Sequence, residues 1–179
     1  MQELEDKALI DRACGGDRAA FAALLERHYD RMFRFACKWC GNRDDAQDIA
    51  QDAAMKLARS LHTYNGRATF TSWLYRLVIN CAIDWQRGNG RHAGGGDAEA
   101  LAVAADGNAE DDLYARQRLA QVDALPEKER TALLLVIGEG MTHAEAATVM
   151  AVKESTVSWY IFEARKKLGV TGGKEAAHG

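Results

Sequence analysis

Apolar residues recur every three or four positions along most of this 179-residue chain, which contains a single proline. That spacing places apolar side chains on one face of an α-helix. Three such runs precede residue 88: one follows Asp17, one starts at Asp44 or Asp45, and one starts between Thr69 and Thr71. Because each has one apolar face, we expect the three helices to close one bundle.

The segment after Gly88 has a different composition. GNGRHAGGGDAEALAVAADGNAEDD is rich in glycine, alanine and acidic residues and has no apolar period. It predicts a flexible acidic linker at residues 91–111. Helical patterns return beyond it, so the prediction is an all-α chain with two small helical domains, at 1–90 and 112–170, and a disordered tail at 171–179.

Charge is distributed unevenly, although the formal net charge is only −3. Between Leu61 and His92 four arginines stand against one aspartate, and between Ala93 and Leu125 seven acidic residues stand against two arginines. The near-neutral total therefore does not exclude a polyanionic partner. The N-terminus lacks a secretory pattern and no stretch approaches the roughly 18 apolar residues of a membrane span, so we expect a cytoplasmic protein without membrane insertion.

Cys37 and Cys40 have the spacing of a zinc knuckle or a redox motif. No second pair follows, and both cysteines lie in a predicted helix, which favours reduced thiols and leaves a redox role open. The chain also lacks a Ser/His/Asp set, a phosphate loop and a metal quartet. We expect no enzymatic activity, no metal site and no cofactor.

Two short helical runs lie between His143 and Leu168, separated by only a few residues. Thr142 and Glu145 fit a capping box at the start of the first. Small residues, Ala147 and Ala151, stand where two steeply crossing helices would otherwise collide. This pattern is typical of a helix-turn-helix, whose second helix enters the DNA major groove, and the alternative is a structural helical hairpin.

The outward residues of the second run support DNA binding only in part. The candidates for contacts with phosphates or base edges are Lys153, Ser155, Thr156, Ser158, Trp159, Arg165 and Lys166. Glu163 opposes such contacts by like charge. Trp159 and Phe162 present aromatic surface that suits a protein partner equally well.

A second candidate surface lies in TFTSWLYRLVINCAIDWQR. At about 100° per residue, Trp73, Arg76, Asn80, Asp84 and Arg87 share one stripe. Such a stripe can stack on bases and neutralise phosphates of single-stranded DNA, although a solvated face with internal ion pairs is the alternative.

The loop from Tyr64 to Phe70, just before this helix, contains glycine, arginine and flanking aromatic residues. It can receive an unstacked base. The helix that starts near Asp44 has an acidic face instead, formed by Asp45, Asp48, Gln51 and Asp52. This acidic face would repel DNA phosphates, and its charge suits a basic helix of another protein.

Three of these segments together resemble the extracytoplasmic-function (ECF) sigma factors of bacterial RNA polymerase. DAQDIAQDAAMKLARSL is similar to the family's region 2.2, and FTSWLYRLVINCAIDWQR to its regions 2.3 and 2.4. LPEKERTALLLVIGEGMTHAEAATVMAVKESTVSWYIFEARKKL is similar to region 4. The three motifs occur in the family's order and cover almost the whole chain.

The resemblance implies a non-catalytic factor whose partners are core RNA polymerase, through its β and β′ subunits, promoter DNA and an anti-sigma factor. It assigns Asp45, Asp48, Gln51 and Asp52 to polymerase binding and the helix-turn-helix to the minus-thirty-five element. It assigns melting and recognition of the minus-ten element to Asn65, Arg67, Thr69, Phe70, Trp73, Arg76, Asn80, Asp84 and Arg87.

The recognition helix departs from the family pattern, because Ser158, Tyr160 and Glu163 replace the usual basic residues and Ala151 replaces the turn glycine. Either the promoter is read with few charges, or Trp159 and Phe162 contact a regulator. The competing functions are a stand-alone helix-turn-helix regulator and a sigma-like adaptor that sequesters an anti-sigma factor. The regulator leaves the acidic face and the arginine stripe unexplained, and the intact region 2 motifs argue against the adaptor.

Overall fold

The computed structural model describes residues 1–89 and 121–169, and all regular structure in these ranges is helical. The helices are α1 Gln2–Cys14, α2 Arg18–Cys40, α3 Arg43–Ser60, α4 Phe70–Asn89, α5 Glu127–Leu133, α6 His143–Met150 and α7 Glu154–Lys167. A 3₁₀ turn, Leu61–Thr63, follows α3, and a π turn, Leu134–Gly138, follows α5. The all-α prediction is confirmed. The predicted linker and tail, and the adjoining ends of both predicted domains, lie outside the described residues.

Local sequence explains where these helices begin. The Asp17 carboxylate accepts a hydrogen bond from the Ala20 amide at 3.1 Å and caps α2. Asn42 caps α3 in the same way through the Asp45 amide, after Gly41 turns the chain with a positive φ of 69°. The predicted capping box of Thr142 and Glu145 is present at the start of α6.

Helices α2, α3 and α4 enclose the main apolar core of the first part of the chain. Its most deeply buried large side chains include Leu24, Phe35, Trp39, Leu57 and Leu74, each no more than 2% exposed. Burying one such side chain contributes about 1.5–3 kcal/mol. These contacts hold α3 and α4 side by side, with one face of each left open to solvent.

Helix α1, which the apolar pattern did not predict, is joined to this bundle by a buried polar contact. His28 Nε2 donates to Asp6 Oδ2 at 2.8 Å, and Arg27 binds the other carboxylate oxygen at 2.9 Å. His28 is 1% exposed, and burial lowers the pKa of its ring although Asp6 opposes that shift. Burial therefore favours the neutral ring, whose Nε2–H group donates a hydrogen bond to the Asp6 carboxylate.

The helices before and after the undescribed segment also contact one another. Trp39 is 1% exposed; its indole donates to Thr131 Oγ1 at 3.4 Å, and the Arg130 guanidinium lies 3.9 Å from the centre of its ring. Such a cation–π contact stabilises by about 2 kcal/mol when desolvated. Helix α4 contributes Gln86, whose amide oxygen accepts from Arg130 at 3.2 Å.

A second contact, which we call the Glu139 clasp, lies at the end of the π turn. Glu139 accepts hydrogen bonds from Lys38 Nζ at 2.9 Å and from the Tyr75 hydroxyl at 2.5 Å. Tyr75 is 5% exposed, and its pKa is raised by burial and by the nearby carboxylate, so it remains a donor. One carboxylate thus binds α2 and α4 to the second group of helices.

Candidate functional site

The acidic face of α3 is solvent-accessible. Ala46, Ile49 and Ala53 are buried against the bundle, so the opposite side of the helix presents Asp48, Gln51 and Asp52, all exposed. Asp45, in the first turn, is half-buried. Of the four residues predicted for polymerase binding, three therefore form an open anionic surface and the fourth lies at its edge.

The loop before α4 is held by its own hydrogen bonds. The Asn65 side-chain oxygen accepts from the Arg67 amide at 3.0 Å, and the Tyr64 hydroxyl donates to the Ala68 carbonyl at 2.7 Å. Thr69 Oγ1 accepts from the Ser72 amide at 3.1 Å and so caps α4. Asn65, Arg67 and Thr69 are exposed, which gives the loop a fixed backbone and available polar groups.

An aromatic cluster supports this loop from below. The ring of Phe70 lies 5.5 Å from Tyr64, 5.8 Å from Trp73 and 5.1 Å from His28, measured between ring centres. Phe70 is only 5% exposed, so here it anchors the loop, whereas Trp73 is half-buried and keeps part of its ring accessible. The cluster links the loop to the buried Asp6–His28 pair.

Helix α1 forms the other side of an open groove of about 760 Å³ beside the loop. Its contribution includes Asp6, Lys7 and Ile10, together with Glu3, Leu4 and Asp11. The sequence pattern predicts no functional position on α1. A role for α1 is indicated only by the polar contact between Asp6 and His28, which the residue spacing within a single helix does not reveal.

The polar stripe of α4 lines a second open groove, of about 740 Å³, whose opposite wall is the C-terminal end of α3 and the 3₁₀ turn. The predicted residues Trp73, Arg76, Asn80, Asp84 and Arg87 all line it. The opposite wall contributes Lys56, Arg59 and His62, which the sequence pattern does not predict as site residues. Sequence period assigns residues to a face of one helix but does not show which neighbour lies beside that face.

The helix-turn-helix expected from the sequence is formed by α6 and α7. Ala147, Val157 and Ile161 are buried in it. At the turn Ala151 has a positive φ of 55°, and the Val152 amide reaches back to the Ala147 carbonyl at 3.1 Å. This is the left-handed helix end that glycine favours, here adopted by alanine at a cost.

The outer face of α7 carries the residues predicted for duplex DNA. Lys153, Ser155, Ser158, Trp159, Arg165 and Lys166 are exposed, and Thr156 is half-buried. The Ser158 hydroxyl lies 2.8 Å from His143 Nδ1, which joins this face to the first turn of α6. Trp159 and Phe162 are 55% and 63% exposed, so the aromatic surface is as accessible as the polar one.

The cysteine pair lies near the end of α2, as expected. Cys37 is buried, and burial raises the pKa of the Cys40 thiol to about 12. Cys40 is therefore a protonated thiol at neutral pH, which is a poor metal ligand and a poor nucleophile. Within residues 1–89 and 121–169, no helix is long and apolar enough to cross a membrane.

Comparisons with known proteins match both groups of helices. The family Sigma-70 region 2 matches residues 24–92, and the family Sigma-70, region 4 matches residues 117–168. The RNA polymerase sigma-H factor of Pseudomonas aeruginosa is 30% identical over 177 residues, covering 92% of each chain. The ECF RNA polymerase sigma-E factor of Escherichia coli K12 is 28% identical, covering 93% of this chain and 94% of its own.

A solved structure, that of CnrH in complex with the cytosolic domain of CnrY, has a similar fold. It is 25% identical in sequence, has a TM-score of 0.69, and the match covers 93% of this chain and 96% of that chain. The likeness therefore extends across both groups of helices.

Proposed function

The chain belongs to the ECF sigma factors of RNA polymerase, and from that premise we propose how its surfaces divide the work of promoter-directed initiation. Residues 1–90 act as region 2, residues 112–170 as region 4, and residues 91–111 as the linker between them. The chain makes and breaks no bond, acts in the cytoplasm, and leaves nucleotide chemistry to the polymerase.

In this proposal the open acidic face of α3 binds the core polymerase. The observation that carries it is the separation of charge on region 2: Asp48, Gln51 and Asp52 are exposed on one side, and the arginine stripe of α4 lines a different groove. Two surfaces of opposite charge can bind a basic protein surface and a DNA strand at the same time.

The minus-ten element is bound by α4 and the loop before it. The loop has a fixed backbone, exposed polar groups and an adjoining groove, which suits a base that leaves the stack. Trp73, Arg76, Asn80 and Arg87 then contact the separated strand, by stacking and by phosphate neutralisation.

Region 4 binds the duplex at the minus-thirty-five element through the exposed face of α7. Few of its outward residues are basic, so we expect a shallow dependence of this contact on salt. An anti-sigma factor is the further partner proposed here, and the exposed Trp159 and Phe162 are the candidate contacts. The solved relative CnrH is likewise held by the cytosolic domain of another protein.

Two variants separate docking from melting. Asp48→Lys is expected to weaken binding of the full chain to core polymerase, and Glu26→Lys, an equal charge change at an exposed position of α2, is the matched control. Asn80→Ala is expected to leave core binding intact and to reduce promoter opening, measured by permanganate reactivity of unpaired thymines. Equal core binding by Asp48→Lys and Glu26→Lys would remove α3 from the proposed docking surface.

A further inference from the structure

The two ends of α3 have opposite charge, and only the acidic end has a role in the proposal above. Lys56 and Arg59 lie at the other end and face the groove shared with α4. Arg76 and Arg87 complete a set of four cations around this groove, in a chain whose formal net charge is −3. The groove thus concentrates positive charge where a nucleic-acid strand is proposed to pass.

Asp84 is an acidic residue within this basic groove. A carboxylate beside a strand repels phosphates, so its presence needs another reason than backbone binding. Carboxylates read bases by accepting a hydrogen bond from an exocyclic amino group, that of cytosine above all. Asp84 lies one helical turn beyond Asn80 and just before Arg87, between an amide and a cation that suit the same strand.

Lys56 is the hydrogen-bond partner that orients this carboxylate in the structure. Its ammonium group donates to Asp84 Oδ2 at 2.9 Å across the groove, from α3 to α4. That bond occupies one oxygen and offers Oδ1 to a second donor. The pKa of Lys56 is raised, chiefly by this hydrogen bond, so the lysine stays charged and offsets the repulsion between Asp84 and phosphate.

A contribution to folding stability does not explain the Lys56–Asp84 ion pair. The Lys56 and Asp84 side chains are 46% and 62% exposed, and ion pairs so open to water contribute little to folding. A directed but accessible carboxylate is what base recognition requires, since the ligand must reach the free oxygen.

We propose that Lys56 is a positioning residue for promoter specificity: it holds Asp84 so that Oδ1 accepts a hydrogen bond from a cytosine amino group in the minus-ten strand. The inference rests on the proposed role of α4. Lys56 itself need not touch a base, because it acts through the carboxylate it orients.

The test uses holoenzyme reconstituted from the full chain and core polymerase, with a template library randomised across the minus-ten element. Sequencing of the transcripts gives a base preference at each position. The wild type is expected to prefer cytosine at one position at least. Lys56→Met and Asp84→Ala should each reduce that preference by roughly five- to 150-fold, the discrimination of one good base contact. Lys56→Arg, which can keep the ion pair, should retain it.

Arg59→Gln is the matched control, because it removes a cation from the same wall without touching Asp84. Arg59→Gln should weaken transcription from all templates alike. It should also reduce the slope of the logarithm of the DNA-binding constant against the logarithm of the salt concentration by about 0.7, the value for one single-strand phosphate contact. In the Asp84→Ala background, Lys56→Met should change the cytosine preference no further, since both substitutions remove one interaction. Unchanged thermal midpoints would show that these surface variants fold.

Two results would overturn the inference. One is a Lys56→Met profile like that of Arg59→Gln, with uniform loss and an intact cytosine preference. The other is an Asp84→Ala variant with wild-type preferences. A wild-type holoenzyme that shows no promoter preference would instead refute the proposed function, and it would do so before any variant is compared.

Discussion

Replacing Glu139 by glutamine should loosen the contact between the two groups of helices. The substitution keeps the size of the side chain and removes its charge. In the clasp the carboxylate accepts from Lys38 and from Tyr75, and the Lys38 and Glu139 side chains are only 20% and 15% exposed. Hydrogen bonds to charged groups contribute about 1.5–3 kcal/mol each.

Because glutamine still offers one acceptor oxygen, we expect the loss to correspond to a single such bond. A loss of about 1.5–3 kcal/mol shifts the equilibrium between packed and separated helices by roughly ten- to 150-fold. Tyr75 stays protonated because its pKa is raised, so its hydroxyl remains a donor that needs an acceptor. Because Tyr75 is only 5% exposed, water cannot replace a lost acceptor unless the structure opens locally.

The assay is intramolecular energy transfer between a dye on the exposed Cys14 of α1 and a second dye at Lys166→Cys on α7, followed during urea titration. Glu139→Gln should lose transfer at lower urea, while the far-ultraviolet circular dichroism of the helices is retained at that concentration. Glu26→Gln, on the exposed side of α2, is the control. A free energy of helix separation for Glu139→Gln within about 0.5 kcal/mol of the control's would refute the stabilising role of the clasp.

Three further outcomes follow from local geometry. Ala151→Gly should stabilise the chain by about 0.5–1 kcal/mol in urea unfolding, because relief of the positive φ of 55° exceeds the cost of the added chain entropy. Ala144→Gly in α6 is the control and should destabilise the chain by about 1 kcal/mol. Destabilisation by both substitutions would contradict the argument. The pKa of His28 is lowered by burial, so its contribution to stability is present above the unfolded value of about 6.5 and is lost as pH falls through the folded value. The unfolding free energy should therefore decline below about pH 6.5 in the wild type, and an equally steep decline in His28→Asn would exclude the ring as its cause. At pH 7.5 iodoacetamide should modify exposed Cys14 and spare Cys40, whose pKa is raised to about 12; rapid labelling of Cys40 in mass spectra would count against that burial.

Much of the fold was predictable because helices are specified by local patterns. Thr142 and Glu145 form the expected capping box of α6, and the small residue Ala147 is buried where α6 and α7 cross, as expected. Such signals depend only on residues within one or two turns. They are therefore readable without knowledge of the neighbouring helices.

The parts that were not predicted depend on contacts between distant segments. Helix α1 has little apolar period, and its buried Asp6 is stabilised by His28 and Arg27, more than 20 residues away. The polar contact of His28 becomes visible only when α1 is placed beside α2.

The candidate site shows the same division. The α4 stripe was predicted completely, because its members share one helix face. The opposite wall of the groove, with Lys56 and Arg59, was missed, since it belongs to α3. Phe70 was assigned to base contact, and its side chain is buried beneath the loop, at 5% exposure, where it packs against Tyr64.

The most direct test of the central claim is run-off transcription from the region upstream of this chain's own gene, with purified core polymerase, in the presence and absence of the protein. The account predicts transcripts that start at one defined site and depend on the protein, and that are reduced by Asp48→Lys and by Asn80→Ala but not by Glu26→Lys. A protein that shifts duplex DNA on its own and yields no transcript with core polymerase, across several templates and salt concentrations, would contradict it and favour a stand-alone DNA-binding regulator.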